Sequence, residues 1–95
     1  MADEFDNELE ELGKRLRALR KARNLRLLDM EVLSGIQDSK LSRIERGLEN
    51  IEFHTIFKLA KALQVKVIEL FDYDGPLPDN ANFKNPLKKR SKKRR

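Results

Sequence analysis

Asp38, Ser39, Lys40, Ser42, Arg43 and Arg46 fall within nine consecutive residues and carry most kinds of side-chain hydrogen-bonding group. The carboxylate only accepts, the hydroxyls donate or accept, and each guanidinium presents five donors in a fork. Set on one side of a helix, these groups make a short, polar, basic surface, narrow enough to enter a groove. Such a surface either grips a polyanion or is simply a solvated helix face. The residue types alone leave both readings open.

Other chemistry has less to work with. Catalysis needs a nucleophile beside a base, a metal cluster, or a carboxylate pair in a pocket. The chain has no cysteine, a single histidine and no glycine-rich phosphate loop. His54 is expected to be exposed in a first helical turn, with no metal to bind. Lack of cysteine excludes disulfide staples and cysteine-based zinc sites. No enzyme, no cofactor and no metal are expected.

The polar surface requires a helix, and the helix requires a frame. From Leu27 to Gly47 the chain reads as a short apolar helix, a turn at Ser34-Gly35-Ile36, and a second helix over residues 38–46 stopped by Gly47. Leu41 and Ile44 share the side of the second helix opposite the polar groups, and Ile36 meets them from the turn. Two helices so closely joined form a helix-turn-helix. Ahead of them, Phe5, Leu9, Leu12, Leu16 and Leu19 step by 4, 3, 4 and 3, one stripe along a long first helix ending near Arg23-Asn24. Phe5 and Leu9 are expected to cap the core, the alternative being a contact with a second subunit. After Gly47, Asn50 is the expected cap of a fourth helix whose buried face holds Phe53, Ile56, Phe57, Leu59, Ala60 and Leu63. Val65, Val67, Ile68, Leu70 and Phe71 predict a last short helix that closes the core.

Apolar residues are 39% of the chain and charged residues also 39%, which suits one small domain with a heavily charged surface. No apolar run is long enough to cross a bilayer, and the acidic N-terminus is unlike a secretory signal. A cytoplasmic protein without membrane contact is expected. The net charge of +5 lies wholly from Asp72 onward, residues 1–71 being balanced. Within the balanced part, six acids between Asp3 and Glu11 precede seven bases between Lys14 and Arg26. This segregation suggests a polyanionic partner for the basic stretch. Asp74-Gly75-Pro76-Leu77-Pro78 breaks further helix, so residues 1–73 read as the domain and 74–95 as a linker and basic tail. Residues 88–95, with seven bases in eight, are expected to be a disordered arm.

Ser34-Gly35-Ile36 followed by Leu41-Ser42-Arg43-Ile44-Glu45-Arg46-Gly47 resembles the Cro/C1-type (XRE-type) helix-turn-helix. The resemblance runs from Leu12-Gly13-Lys14-Arg15-Leu16-Arg17 to Lys58-Leu59-Ala60-Lys61-Ala62-Leu63 and Glu69-Leu70-Phe71. It implies an all-α fold, a compact five-helix lambda-repressor-like domain. It implies a sequence-specific transcriptional regulator that binds double-stranded DNA as a homodimer, associated with the nucleoid, with its second motif helix in the major groove. By position Gln37, Asp38, Ser39 and Arg43 match the family's base-facing sites. Arg43 suits guanine O6 and N7, Ser39 bonds either way, and Asp38 suits cytosine N4. Lys40 and Arg46 would hold phosphates, as would the backbone N–H at Leu27; Lys88, Lys89 and Arg90 would do so if the tail is a DNA-backbone arm, the other readings being a nuclear-import-like signal and a solubilising or RNA-touching tail. The resemblance also implies that Arg20 pairs with Glu45, making Glu45 a structural residue.

The sequence departs from the family pattern at three places. Arg26 and Leu27 replace a polar cap and a glutamine. Glu31 stands where a small residue usually lets the motif helices approach, so it must tilt outward, find a cation or widen the crossing. Glu49 and Glu52 make acidic a loop that is commonly basic. An alternative class is an antitoxin or other partner-binding protein built on the same domain, which exposed apolar surface at Phe71, Tyr73, Leu77 and Phe83 would favour. A third is a nucleic-acid coating protein dominated by its tail.

Overall fold

The computed structural model describes residues 3–87, and among them the chain forms five helices and no strand. They are α1 (Glu4–Ala22), α2 (Leu27–Ser34), α3 (Asp38–Glu45), α4 (Phe53–Leu63) and α5 (Val67–Leu70). The all-α fold expected from the sequence is the fold observed. Helix α1 packs on α3 and α5, α2 packs on α3 and α4, and α4 packs on α5. Leu12, Leu16 and Leu19 of α1 meet Leu41 and Ile44 of α3, Met30 of α2, Ile56, Leu59 and Leu63 of α4, and Leu70 of α5 in one buried cluster. Each large side chain in such a cluster contributes roughly 1.5–3 kcal/mol of transfer free energy. Helix α3 therefore sits on an apolar platform whose direct supports are α1 and α2.

The ends of the helices follow from local chemistry. Asp3 caps α1, its side chain accepting the N–H of Asp6 at 2.9 Å. Acids in the first turn of α1 and bases in its last complement the helix dipole. Arg26 precedes α2 but its side chain only donates, so Asp29 reaches back instead and accepts the Arg26 N–H at 2.8 Å. Gly35 (φ 78°) and Gly47 (φ 76°) end α2 and α3 in the left-handed region that suits glycine. At the turn, the Ser34 hydroxyl donates to the carbonyl of Met30 and accepts the N–H of Ile36. Glu31 resolves its unusual position by turning toward α3, where it accepts the N–H of Asp38 at 3.1 Å. It needs no cation, because the positive end of α3 receives it.

Several expectations are corrected. Phe5 is 52% exposed, since the first turns of α1 run past the core rather than over it. Phe53 and Phe57 are 65% and 47% exposed. The inward stripe of α4 runs through Ile56, Leu59, Ala60 and Leu63, and the two rings stand to the side of it. Ile68 and Phe71 are likewise exposed, leaving Leu70 to close the core. Asn50 does not cap α4, whose cap position is Glu52 with no side-chain bond to the helix.

The largest correction concerns residues 74–84, expected as linker. Arg15 of α1 and Arg23, at the C-terminal cap of that helix, are buried and bind this stretch to the body. Arg15 donates to the carbonyls of Glu69, Gly75 and Pro76 at 2.9–3.2 Å. Arg23 donates to the carbonyls of Leu63, Gln64 and Asp79 and to the Asn80 side-chain oxygen, with the Phe83 ring 4.5 Å from its guanidinium carbon. The Gln64 amide then holds Lys84 from both sides, donating to its carbonyl at 2.7 Å and accepting its N–H at 3.1 Å. Neither buried arginine has a carboxylate partner among the described residues. For Arg23 the C-terminal carbonyls of α4 supply the compensating negative charge. Tyr73 donates to the Glu8 carboxylate, and burial, then Glu8, pushes its hydroxyl well above the usual range.

Candidate nucleic-acid interface

Helix α3 has one buried side and one open side. Leu41 and Ile44 face the core, whereas Gln37, Ser39, Lys40, Arg43 and Arg46 are exposed and Asp38 is half-buried. The structure thus brings five of the six expected α3 site residues onto open surface. Two contacts fix the buried side. Arg20 forms a fork with Glu45, Nε to Oε2 at 2.7 Å and Nη2 to Oε1 at 3.0 Å, and gives its remaining Nη1 to the carbonyl of Leu25 at 2.8 Å. The pair implied by the resemblance is present, and both side chains are about nine-tenths buried. Gly13 supplies the second contact, because a Cβ there would stand 2.5 Å from the Glu45 carbonyl oxygen and 2.6 Å from that of Ile44. Backbone packs on backbone at this point, and only glycine permits it.

The exposed groups differ in how they are held. Arg43 donates from Nε to Glu49 Oε2 at 2.8 Å and from Nη2 to the carbonyl of Leu48 at 3.3 Å. Arg46 leans along its own helix to the carbonyl of Ser42 at 3.3 Å. Leu27 turns its side chain onto the core. At the same helix end Asp29 accepts from the Arg26 side chain and backbone. Those bonds, the side-chain ones first, hold its carboxyl below the usual carboxylate range. A carboxylate thus occupies the end of α2 where a phosphate contact at Leu27 was expected. Lys88, Lys89 and Arg90 lie outside the described residues.

The basic stretch from Lys14 to Arg26 is divided, with Lys14, Arg17, Lys21 and Arg26 exposed and three arginines turned inward. Arg15, Arg20 and Arg23 are buried, while Arg17 is exposed with its Nη1 4.0 Å from Glu45. The signal for two of them was available: Arg15, Leu19 and Arg23 step by 4 and 4, which places both cations on the side of the most buried leucine. His54 is exposed, and no cluster of metal-binding side chains occurs among the described residues. No described helix is long and apolar enough to cross a membrane.

A family model described as a helix-turn-helix domain matches residues 11–70, well over half of the chain. The chain belongs to this helix-turn-helix family and is of the Cro/C1 type. It is 40% identical over 58 residues to the HTH-type transcriptional repressor RghR of Bacillus subtilis (strain 168), a match covering 60% of this chain. That match spans only 43% of the repressor, less than half its length. The crystal structure of the restriction-modification controller protein C.AhdI from Aeromonas hydrophila superposes with a TM-score of 0.67 at 40% identity. It covers 68% of this chain and 98% of its own.

Proposed function

We propose that this protein is a sequence-specific DNA-binding transcriptional regulator that inserts α3 into the major groove. The observation that carries this reading is the asymmetry of α3. Its inner side is locked to α1 through Arg20–Glu45 and Gly13, and its outer side offers Gln37, Ser39, Lys40, Arg43 and Arg46 to solvent. In this reading Gln37, Asp38, Ser39 and Arg43 meet base edges. Lys40, Arg46 and the tail residues Lys88, Lys89 and Arg90 meet phosphates and add affinity without sequence information. No catalytic role is assigned. Exposed Ile68 and Phe71 at α5 favour association of two copies, which would place two α3 helices on one duplex. The protein-binding alternative is weakened because Tyr73 and Phe83 pack against the core. Only Phe71 and Leu77 of its marker residues remain exposed.

The test is selection from a pool of random duplexes, by the full chain and by a chain ending at residue 87. Enrichment of one sequence by both supports the regulator. Retention of all duplexes equally, lost on truncation, would instead describe a coating protein. Sedimentation of the free protein and of its complex reports the number of copies bound.

A further inference from the structure

The loop after α3 puts a carboxylate beside a proposed base-reading arginine, and the contacts there are directional. Arg43 spends its Nε–H on Glu49 Oε2 at 2.8 Å and one Nη2–H on the Leu48 carbonyl at 3.3 Å. Both Nη1 hydrogens and the second on Nη2 stay uncommitted, and one from each nitrogen forms the end of the fork that matches guanine O6 and N7. The backbone that carries the acceptors is fixed. Leu48 donates its N–H back to the carbonyl of Arg43 at 2.9 Å, and Gly47 donates to that of Ile44 at 3.0 Å. The pair is open to solvent, Arg43 being half exposed and Glu49 about a quarter exposed, so it contributes little to stability. What it does is remove rotamer freedom from a long side chain and offset its charge.

We propose that Glu49 is a specificity-determining, positioning residue, one that aims Arg43 at a single base pair and weakens its attraction to phosphates elsewhere. The proposal rests on the reading of Arg43 as a base contact. An arginine left free would pair with any nearby phosphate, and that binding carries no sequence information. Held by Glu49 and Leu48, its fork meets a base edge already oriented, so ordering costs less on binding.

The experiment uses the full chain, the duplex enriched by selection, and its three single-base-pair variants at each position. Arg43→Ala should lose roughly tenfold in discrimination at one base pair. Glu49→Ala should lose about three- to tenfold at that same base pair and no other. It should also bind random duplexes more tightly, with a salt slope steeper by up to about one unit. In the Arg43→Ala background, Glu49→Ala should change discrimination nowhere. Melting curves confirm folding, which loss of this solvent-screened pair should change little. If Glu49→Ala keeps full discrimination, Glu49 is only a local repulsion and the proposal fails while Arg43 stands. If Arg43→Ala itself keeps full discrimination, the base-reading assignment falls and the proposal with it.

Discussion

Replacing Glu45 with alanine should unfold this domain more readily than any change on the open side of α3. The substitution removes both carboxylate oxygens from the Arg20 fork, at 2.7 and 3.0 Å, and leaves the guanidinium with the carbonyl of Leu25. Breaking a buried pair from one side costs about 3–5 kcal/mol, because an uncompensated charge stays in the interior. Exposed Arg17 stands 4.0 Å from Glu45, so water has a route in and the lower end of that range applies. For a domain of this size each kcal/mol lowers Tm by roughly 4–8 °C, giving an expected fall of about 12–24 °C. Arg46→Ala, on the exposed side, should stay within about 0.5 kcal/mol of the parent. Arg20→Met combined with Glu45→Leu should recover most of the loss, since two apolar groups leave no stranded charge. Urea unfolding followed by helical circular dichroism measures all four proteins. Equal midpoints for Glu45→Ala and Arg46→Ala would refute the reasoning, as would a double mutant no better than Glu45→Ala.

Gly13→Ala should destabilise by ~1–3 kcal/mol, because its Cβ meets backbone carbonyls of α3 that cannot step aside; an unchanged urea midpoint would show that α1 and α3 separate freely. Asp29 has a lowered folded pKa, so its contribution is present above the unfolded value near about pH 4 and is lost as pH falls through the folded one. The stability gap between the parent and Asp29→Ala should therefore shrink in acid, and a gap constant from neutral pH to about pH 2.5 would count against the Arg26–Asp29 contact. Removing residues 88–95 deletes seven bases, each worth about 0.9 in the slope of log K against log salt when it holds a phosphate. With only part of the arm engaged, the slope should fall by roughly 2–5 units with site preference unchanged; titrations at several salt concentrations would expose an arm that never touches DNA.

What the sequence revealed was the part governed by side-chain pattern. The step of Leu12, Leu16 and Leu19, the inward pair Leu41 and Ile44, and the glycines at 35 and 47 each announce a helix face or a helix end, and the structure has them there. Arg20 and Glu45 were legible too, because a cation and an anion at fixed family positions name each other. The inward side of Arg15 and Arg23 was legible from their step around Leu19, but what they would bind was not. Their partners are mainly backbone carbonyls, and a carbonyl is the same group at every residue, so nothing in the letters marks Gly75, Pro76 or Asp79 as acceptors. Glu31 is awkward in the sequence and its solution is invisible there, since the helix end that receives it exists only once α2 and α3 have folded. Phe53 and Phe57 misled because their spacing fits a buried stripe, and spacing does not say how wide a stripe the neighbouring helices cover.

The grip of Arg15 and Arg23 on residues 75–84 bears on how this domain behaves as a transplantable module. The family match stops at residue 70, and a chimera cut there would carry helices α1 to α5 complete. It would nonetheless leave Arg15 with the carbonyl of Glu69 alone and Arg23 with those of Leu63 and Gln64. Two interior guanidiniums would then open to water or tilt the C-terminal end of α4. In this chain the portable unit reaches to Lys84, where the Gln64 amide closes it. Swapping recognition helices between relatives is accordingly safer than swapping whole domains at the family boundary, because α3 is anchored by Gly13 and Arg20 and not by the returning segment.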